Sequence, residues 1–328
     1  MSPRRNADGG VPEVSRALTN PGLAPELHNE ESFDDVAEMA NRGERRRFGG
    51  VLLGLPIIGW MAFFLAFPYI LLLLQSFWVA GLWSTLHNWN LQNYTAVLFG
   101  KSLAGNIYLP VLLTSIENGM MVTVLATLIG FPVAYLLAFK LRRRRMLVYT
   151  LVIVPLWASY LLRAYAWKVI LGNNGLLGSV LNHIGLGHSS LNSILYSRTA
   201  IIITLTHIFT PFMILSIYSV LERVPESLIN ASKDLGVGRL GTFFKVVLPL
   251  SLPGVIAGAT FTLGLAAGDF VAPLLVGGPN NSMIGNIIYS EFGATGDYPL
   301  GSAIAFVLLA FVVVLVAVST LAERREQI

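Results

Sequence analysis

Six apolar stretches, at about 50–77, 112–139, 146–171, 198–221, 249–276 and 299–321, are each long enough to cross a bilayer as a helix, which needs about 20 residues. Of the 328 residues 54% are hydrophobic and only 12% charged, too little polar surface for a soluble globular domain, so the chain reads as an all-α integral membrane protein. An even number of spans returns both termini to one side. Lysine and arginine indicate which side. Arg42, Arg45, Arg46 and Arg47, then Lys140 and the arginine run 142–145, then Arg223, Lys233, Arg239 and Lys245, and finally Arg324 and Arg325 share one face. Only Lys101 and the boundary residue Arg198 oppose them, so both termini are expected in the cytosol.

Residues 1–47 carry nine of the eighteen acids and no apolar run, the composition of a largely disordered cytosolic tail, with a weak amphipathic turn around Phe33 to Met39. The start has no short apolar core with a small-residue cleavage site, so no signal peptide is expected and the first span stays as an anchor of the domain 48–328. The chain has no cysteine, which excludes disulfides and thiolate metal sites and agrees with a bacterial cytoplasmic (inner) membrane. The net charge of +4 is spread over loops and tail, so no nucleic-acid partner is expected. The 142–145 run reads as a topology determinant touching acidic lipid headgroups. In the outer loop 78–111, Trp78, Trp83, Trp89, Tyr94 and Tyr108 suit the headgroup level as anchors. His183 and His188, five apart and with no acid or cysteine near, read as solvated side chains; no metal is expected.

One long segment between the spans, 222–249, is polar and helix-like. Pro225 suits a first helical turn and Gly236 the left-handed position past a helix end, which predicts a short helix at about 225–235. Leu240, Phe243, Phe244 and Val247, at i, i+3, i+4 and i+7, predict a second helix with one apolar face, kinked or restarted at Pro249. Gly236, Gly238 and Gly241 also spell GxGxxG, but a helix in place of a strand precedes them and no acid follows at the right distance, against nucleotide binding.

Asn230-Ala231-Ser232, three residues, Gly236, nine residues, then Val246-Val247-Leu248-Pro249 resembles the EAA loop of the membrane subunits of ATP-binding-cassette importers, whose pattern is EAA, three, G, nine, I-x-L-P. Asn230 replaces the glutamate and Ser232 the second alanine, which removes one charge. The resemblance implies a type I importer permease with six spans and a cytosolic two-helix coupling loop. It assigns ATPase coupling to Asn230, Ala231, Ser232, Asp234, Gly236, Leu240, Phe243 and Phe244. It also implies a second permease subunit, an ATPase dimer that holds ATP and magnesium, and an extracytoplasmic solute-binding protein. Residues 155–171 and 266–305 are similar to the spermidine/putrescine-type permeases, which implies polyamine cargo and a heterodimer of permeases.

Ionisable residues inside spans tend to face a polar cavity, a partner or a solute path. Asp269 follows Gly264 and Gly268 and precedes Pro273, so its helix can break and expose carbonyls beside a carboxylate, a set that suits an ammonium group. Two readings fit Asp269: solute path, or cap and ion-pair partner of a neighbouring helix. Glu117 is a second path candidate, and Trp157 and Tyr160 offer aromatic faces to a cation. Arg163 and Lys168 favour an anion, or pair with Asp269 or Glu117; Lys168 can also snorkel. Past Pro279, Ile284, Ile287, Ile288 and Phe292 form an apolar face, and by the resemblance Glu291 and Asp297 meet the solute-binding protein. GxxxxGK[ST], HExxH and GxSxG are all absent, so no catalytic residue and no cofactor is expected in this chain. Rival readings are import of a carboxylate or opine-like solute, a secondary transporter, which would favour an inverted repeat, and a membrane enzyme, which would need a polar cluster at one interface.

Overall fold

The apolar runs fold as helices because a backbone in hydrocarbon must satisfy its own hydrogen bonds. The computed structural model describes residues 56–57, 59–81, 85–100, 107–141, 143–172, 175–183 and 194–326. In order these contain α1 (Gly59–Ser76), a two-residue antiparallel pairing of β1 (Val79–Ala80) with β2 (Thr85–Leu86), α2 (Gln92–Phe99) and α3 (Tyr108–Phe139). Next come α4 (Arg145–Trp157), α5 (Tyr160–Leu171), α6 (Leu176–His183), α7 (Arg198–Leu221), α8 (Glu226–Asp234), α9 (Arg239–Thr242) and α10 (Leu248–Ala267). The last helices are α11 (Ile284–Ser290) and α12 (Tyr298–Glu326). The predicted tail and its turn, Arg42, Arg45, Arg46, Arg47, Trp83, Lys101, Arg142 and His188 lie outside the described residues.

Five of these helices are long and apolar enough to cross a membrane, and a sixth span results if α4 and α5 count as one. The predicted single helix 146–171 is in fact this bent pair, turned by 93°. Pro155 withholds an amide from the last turn of α4, and Ala158 and Ser159 are extended, with ψ of 140° and 139°. The stretch 249–276 departs too. α9 runs through a π turn, Phe243–Val247, into α10 as one 29-residue helix, Arg239–Ala267. The Leu248 amide reaches back to the Phe243 carbonyl, five residues away, and Pro249 falls in the first turn of α10 without stopping it. The helix then breaks at Gly268–Phe270 before a short π turn, Pro273–Gly277.

The chain forms two units, Met1–Tyr69 and Ile70–Ile328, with the boundary inside α1. In the first, Trp60, Phe63, Phe64 and Phe67 form a ladder of ring contacts on an exposed helix. In the second, α7 is the packing axis. Ile201, Leu205 and Ile208 join Val122 of α3 and Ala266 of α10 in one buried cluster. Ile214, Ile217 and Leu221 join Phe131, Leu137 and Val247 in another, towards the 222–249 loop. A third cluster sets Val97, Leu112, Ile284 and Ile304 together, so α11 turns its isoleucines inward.

Candidate functional site

Polar groups come together at the elbow between α7 and α10 and at the break after α10. At the elbow, α8 ends in a left-handed Gly236 with φ of 76°. The Gly236 amide donates to the Lys233 carbonyl and the Val237 amide to the Ser232 carbonyl, at 2.9 and 3.1 Å, which is the Schellman closure of a helix end. The Ser232 hydroxyl meets that of Thr242 at 3.0 Å, and both residues are buried. This contact joins α8 to α9, so Ser232 is not on the surface where the predicted coupling set would need it.

Phe243 is also directed inward, edge-on to Phe131 and Tyr135 of α3. The predicted single apolar face is therefore split, because a π turn adds a residue per turn and breaks the 3.6-residue register. Val247 is buried and the partly buried Phe243 packs against its cluster, whereas Leu240 is 77% exposed and Phe244 60%. Asn230, Ala231, Asp234 and Gly236 are exposed beside them. Asn230 accepts a hydrogen bond from Lys233 at 3.3 Å. Sequence reasoning missed Leu235, which is 83% exposed; an apolar residue directly before the capping glycine was the available signal. Arg145, read as facing headgroups, is tied instead to the start of the elbow. It donates to Glu222 and to the Tyr218 hydroxyl, with its guanidinium carbon 5.1 Å from the centre of that ring.

At the break, Asp269 Oδ1 accepts the Ala272 amide at 2.8 Å and Oδ2 accepts the Tyr160 hydroxyl. Asp269 thus caps the short helix after the break and holds α5 to it. The predicted alternatives that paired it with Arg163 or Lys168 do not occur. Arg163 donates to the Ile208 carbonyl at 3.3 Å, its guanidinium carbon lies 6.0 Å from the Tyr160 ring centre, and its buried Nε has no hydrogen-bond partner among the described residues. Beside Asp269, Phe270 stacks on the exposed Tyr289 at 5.0 Å, and Asn286 donates to the Phe270 carbonyl at 2.8 Å. His207 of α7 contacts Trp167 of α5 edge-on at 5.4 Å. Sequence reasoning passed over His207, although a histidine within an apolar run was visible.

Two of the predicted path residues, Asp269 and Tyr160, are brought together; the other two are elsewhere. Glu117 forms an ion pair with Arg198 at 2.8 Å, and the Arg198 Nε donates to the buried Asn118 at 2.5 Å. Trp157, at the α4–α5 bend, is 81% exposed. Glu291 accepts the Thr295 hydroxyl at 2.6 Å, and Asp297 caps α12 by accepting the Leu300 amide at 2.9 Å. Both acids remain partly exposed in the turn between α11 and α12. Among the described residues no three His, Cys, Asp or Glu side chains converge as metal ligands. This arrangement can hold a cation or move as a lever; it presents no nucleophile with a positioned base.

Comparison with known proteins agrees with that geometry. Residues 126–327 match the family described as binding-protein-dependent transport system inner membrane component. The chain is 34% identical over 264 residues to the spermidine/putrescine transport system permease protein PotB of Haemophilus influenzae, spanning 80% of this chain and 90% of that one. Against PotB of Escherichia coli the identity is 33% over 253 residues, 77% of this chain and 90% of the relative. The inner membrane ABC transporter permease protein YdcU of Escherichia coli is 35% identical over 221 residues, 63% and 69% of the two chains. Among solved structures, a bacterial ABC transporter that imports the acidic polysaccharide alginate superposes with a TM-score of 0.66 at 20% identity, over 88% of this chain and 99% of that one. The MetNI methionine ABC transporter gives 0.52 at 20%, over 66% and 95%. These two likenesses are of fold alone. Matched over more than half its length, the chain belongs to the binding-protein-dependent transport system inner membrane components, as a multi-pass inner-membrane permease of an ABC importer whose ATPase is a separate subunit.

Proposed function

We propose that this permease imports a polyamine such as spermidine or putrescine by alternating access. The cargo reading is carried by the PotB relatives, which align over about nine-tenths of their own length. A half-buried carboxylate at a broken helix, with Tyr160, Phe270 and Tyr289 around it, supports it, because carboxylate and ring faces together suit an ammonium group. Trp157 and Glu117 lie further along the same solute path. ATPases holding ATP and magnesium dock on Asn230, Ala231, Asp234, Gly236, Leu240 and Phe244, while Ser232 and Phe243 stiffen the lever from within. Both termini are cytosolic, a second, different permease subunit completes the pore, and a solute-binding protein docks near Glu291 and Asp297.

The test is uptake by the complex reconstituted with its binding protein. Putrescine and spermidine are expected to be carried and to stimulate ATP hydrolysis, whereas succinate is not. A second reading, an anionic solute, is favoured by the unpartnered Nε of Arg163. Succinate-stimulated uptake that is lost in Arg163→Gln and retained in Asp269→Asn would establish it in place of the first.

A further inference from the structure

At the end of the bundle that carries the elbow, Arg143, Arg145, Met146, Tyr149, Tyr218 and Glu222 line a cavity of about 530 Å³ between the start of α4 and the end of α7. Arg145 is occupied by Glu222 and Tyr218, so those two charges offset each other. Tyr149 packs against Tyr218 with ring centres 5.6 Å apart. Arg143 is exposed and forms no ion pair among the described residues, which leaves the cavity with one net positive charge. Just beyond it Leu147, Leu151 and Val154 are exposed at i, i+4 and i+7, an apolar stripe along α4 that starts one turn from Arg143.

We infer that this cavity binds the phosphate of an anionic phospholipid, held by Arg143 with the phenol of Tyr149 beside it, while the acyl chains follow the Leu147–Leu151–Val154 stripe. A phosphate suits the site because arginine offers it paired donors and Tyr149 a third. A lipid suits it better than a free phosphate because the apolar stripe continues from the cation in the direction of the span. Glu222 opens the elbow, so the occupant rests against the ion pair that anchors the lever, and lipid composition would tune coupling through it.

The complex, purified from membranes and placed in nanodiscs of phosphatidylcholine with graded phosphatidylglycerol, tests this by native mass spectrometry of retained lipid. The wild type is expected to retain phosphatidylglycerol in preference to phosphatidylcholine. Arg143→Gln should weaken retention by about fivefold, the effect of one headgroup-level arginine. Arg143→Lys should largely restore it, and Arg144→Gln, exposed but outside the cavity, should leave it unchanged. Equal retention of both lipids, or an Arg144→Gln effect equal to that of Arg143→Gln, would overturn the proposal. So would displacement by inorganic phosphate as readily as by lipid, which would make the ligand a free anion. Loss of the ATPase from Arg143→Gln with lipid retention intact would make Arg143 a protein contact instead.

Discussion

The hydroxyls of Ser232 and Thr242 meet at 3.0 Å across the elbow, buried between two short helices. Thr242 also lies 3.2 Å from the Gly238 carbonyl, so it has a second acceptor when Ser232 is removed. Ser232→Ala, which restores the alanine of the EAA pattern, should therefore cost no more than about 1 kcal/mol. Thr242→Val leaves Ser232 buried without a side-chain partner and should cost about 1–3 kcal/mol. Thermal unfolding of the purified complex checks both. If the contact stiffens the lever, Thr242→Val also lowers the solute moved per ATP hydrolysed while hydrolysis itself persists.

Gly236 and Gly238 are two residues apart and both lie in open space. They differ in backbone: φ is 76° at Gly236 and −62° at Gly238. Gly236→Ala should thus lose about 1–2 kcal/mol through left-handed strain alone, and Gly238→Ala a smaller amount, about 0.5 kcal/mol, because Gly238 is the N-cap of α9 and alanine is a poorer cap. Gly236→Asn, which tolerates that region, should recover part of the loss in the same unfolding measurement. Equal effects of the two alanines would contradict the Schellman closure described above.

Arg198 holds both Glu117 and the buried Asn118, and the two contacts differ in weight. The Glu117 carboxylate is largely exposed, so Glu117→Gln should cost under about 1 kcal/mol. Arg198→Ala strands Asn118 at the α3–α7 contact and should cost about 1–3 kcal/mol. Uptake separates this from a path role. A structural Glu117 leaves the Michaelis constant of the Gln variant unchanged, whereas a solute-contacting Glu117 raises it.

Length and hydropathy made the spans legible, because hydrocarbon selects only for apolar residues and enough of them. They said nothing of the α4–α5 bend, since Pro155, Ala158 and Ser159 turn the chain without changing its hydropathy. The π turn at Phe243–Val247 was hidden for a related reason. A 3.6-residue periodicity put Phe244 with Val247, and the wider turn that holds both leaves Phe244 exposed while Val247 is buried. The break at Asp269 was legible, because Gly264, Gly268 and Pro273 mark it locally. Its partner Tyr160 stands 109 residues earlier, and the pairing depends on how α5 returns after the bend. Arg145 followed the same rule: its charge was visible in the 142–145 run, and Glu222, 77 residues on, was not.

Gly285 marks the tightest approach at that break. A Cβ there would come within 2.5 Å of the Gly268 carbonyl oxygen and 2.8 Å of that of Asp269, both backbone atoms that cannot rotate away. Gly285→Ala must push α11 off the break, at a cost of about 1–3 kcal/mol. Gly293→Ala, in open space, should be neutral. The comparison is read from the yield and thermal midpoint of the purified complex.

Asp269 makes two separable contributions, and substitutions can separate them. Asn at 269 retains an oxygen for the Ala272 amide and turns an amide N–H towards the Tyr160 phenol, whose oxygen can accept it, but loses the charge. Ala loses all three. Asp269→Ala should therefore cost about 1–2 kcal/mol through the lost cap, whereas Asp269→Asn should fold nearly as the wild type does. If the carboxylate meets an ammonium group, Asp269→Asn abolishes most polyamine uptake without changing the thermal midpoint. Tyr160→Phe leaves the charge and frees one carboxylate oxygen, so the Michaelis constant for uptake should fall or stay level even as the α5 tie weakens. Uptake of Asp269→Asn at the wild-type rate would leave only the cap, and Asp269 would then be a structural residue at the helix break.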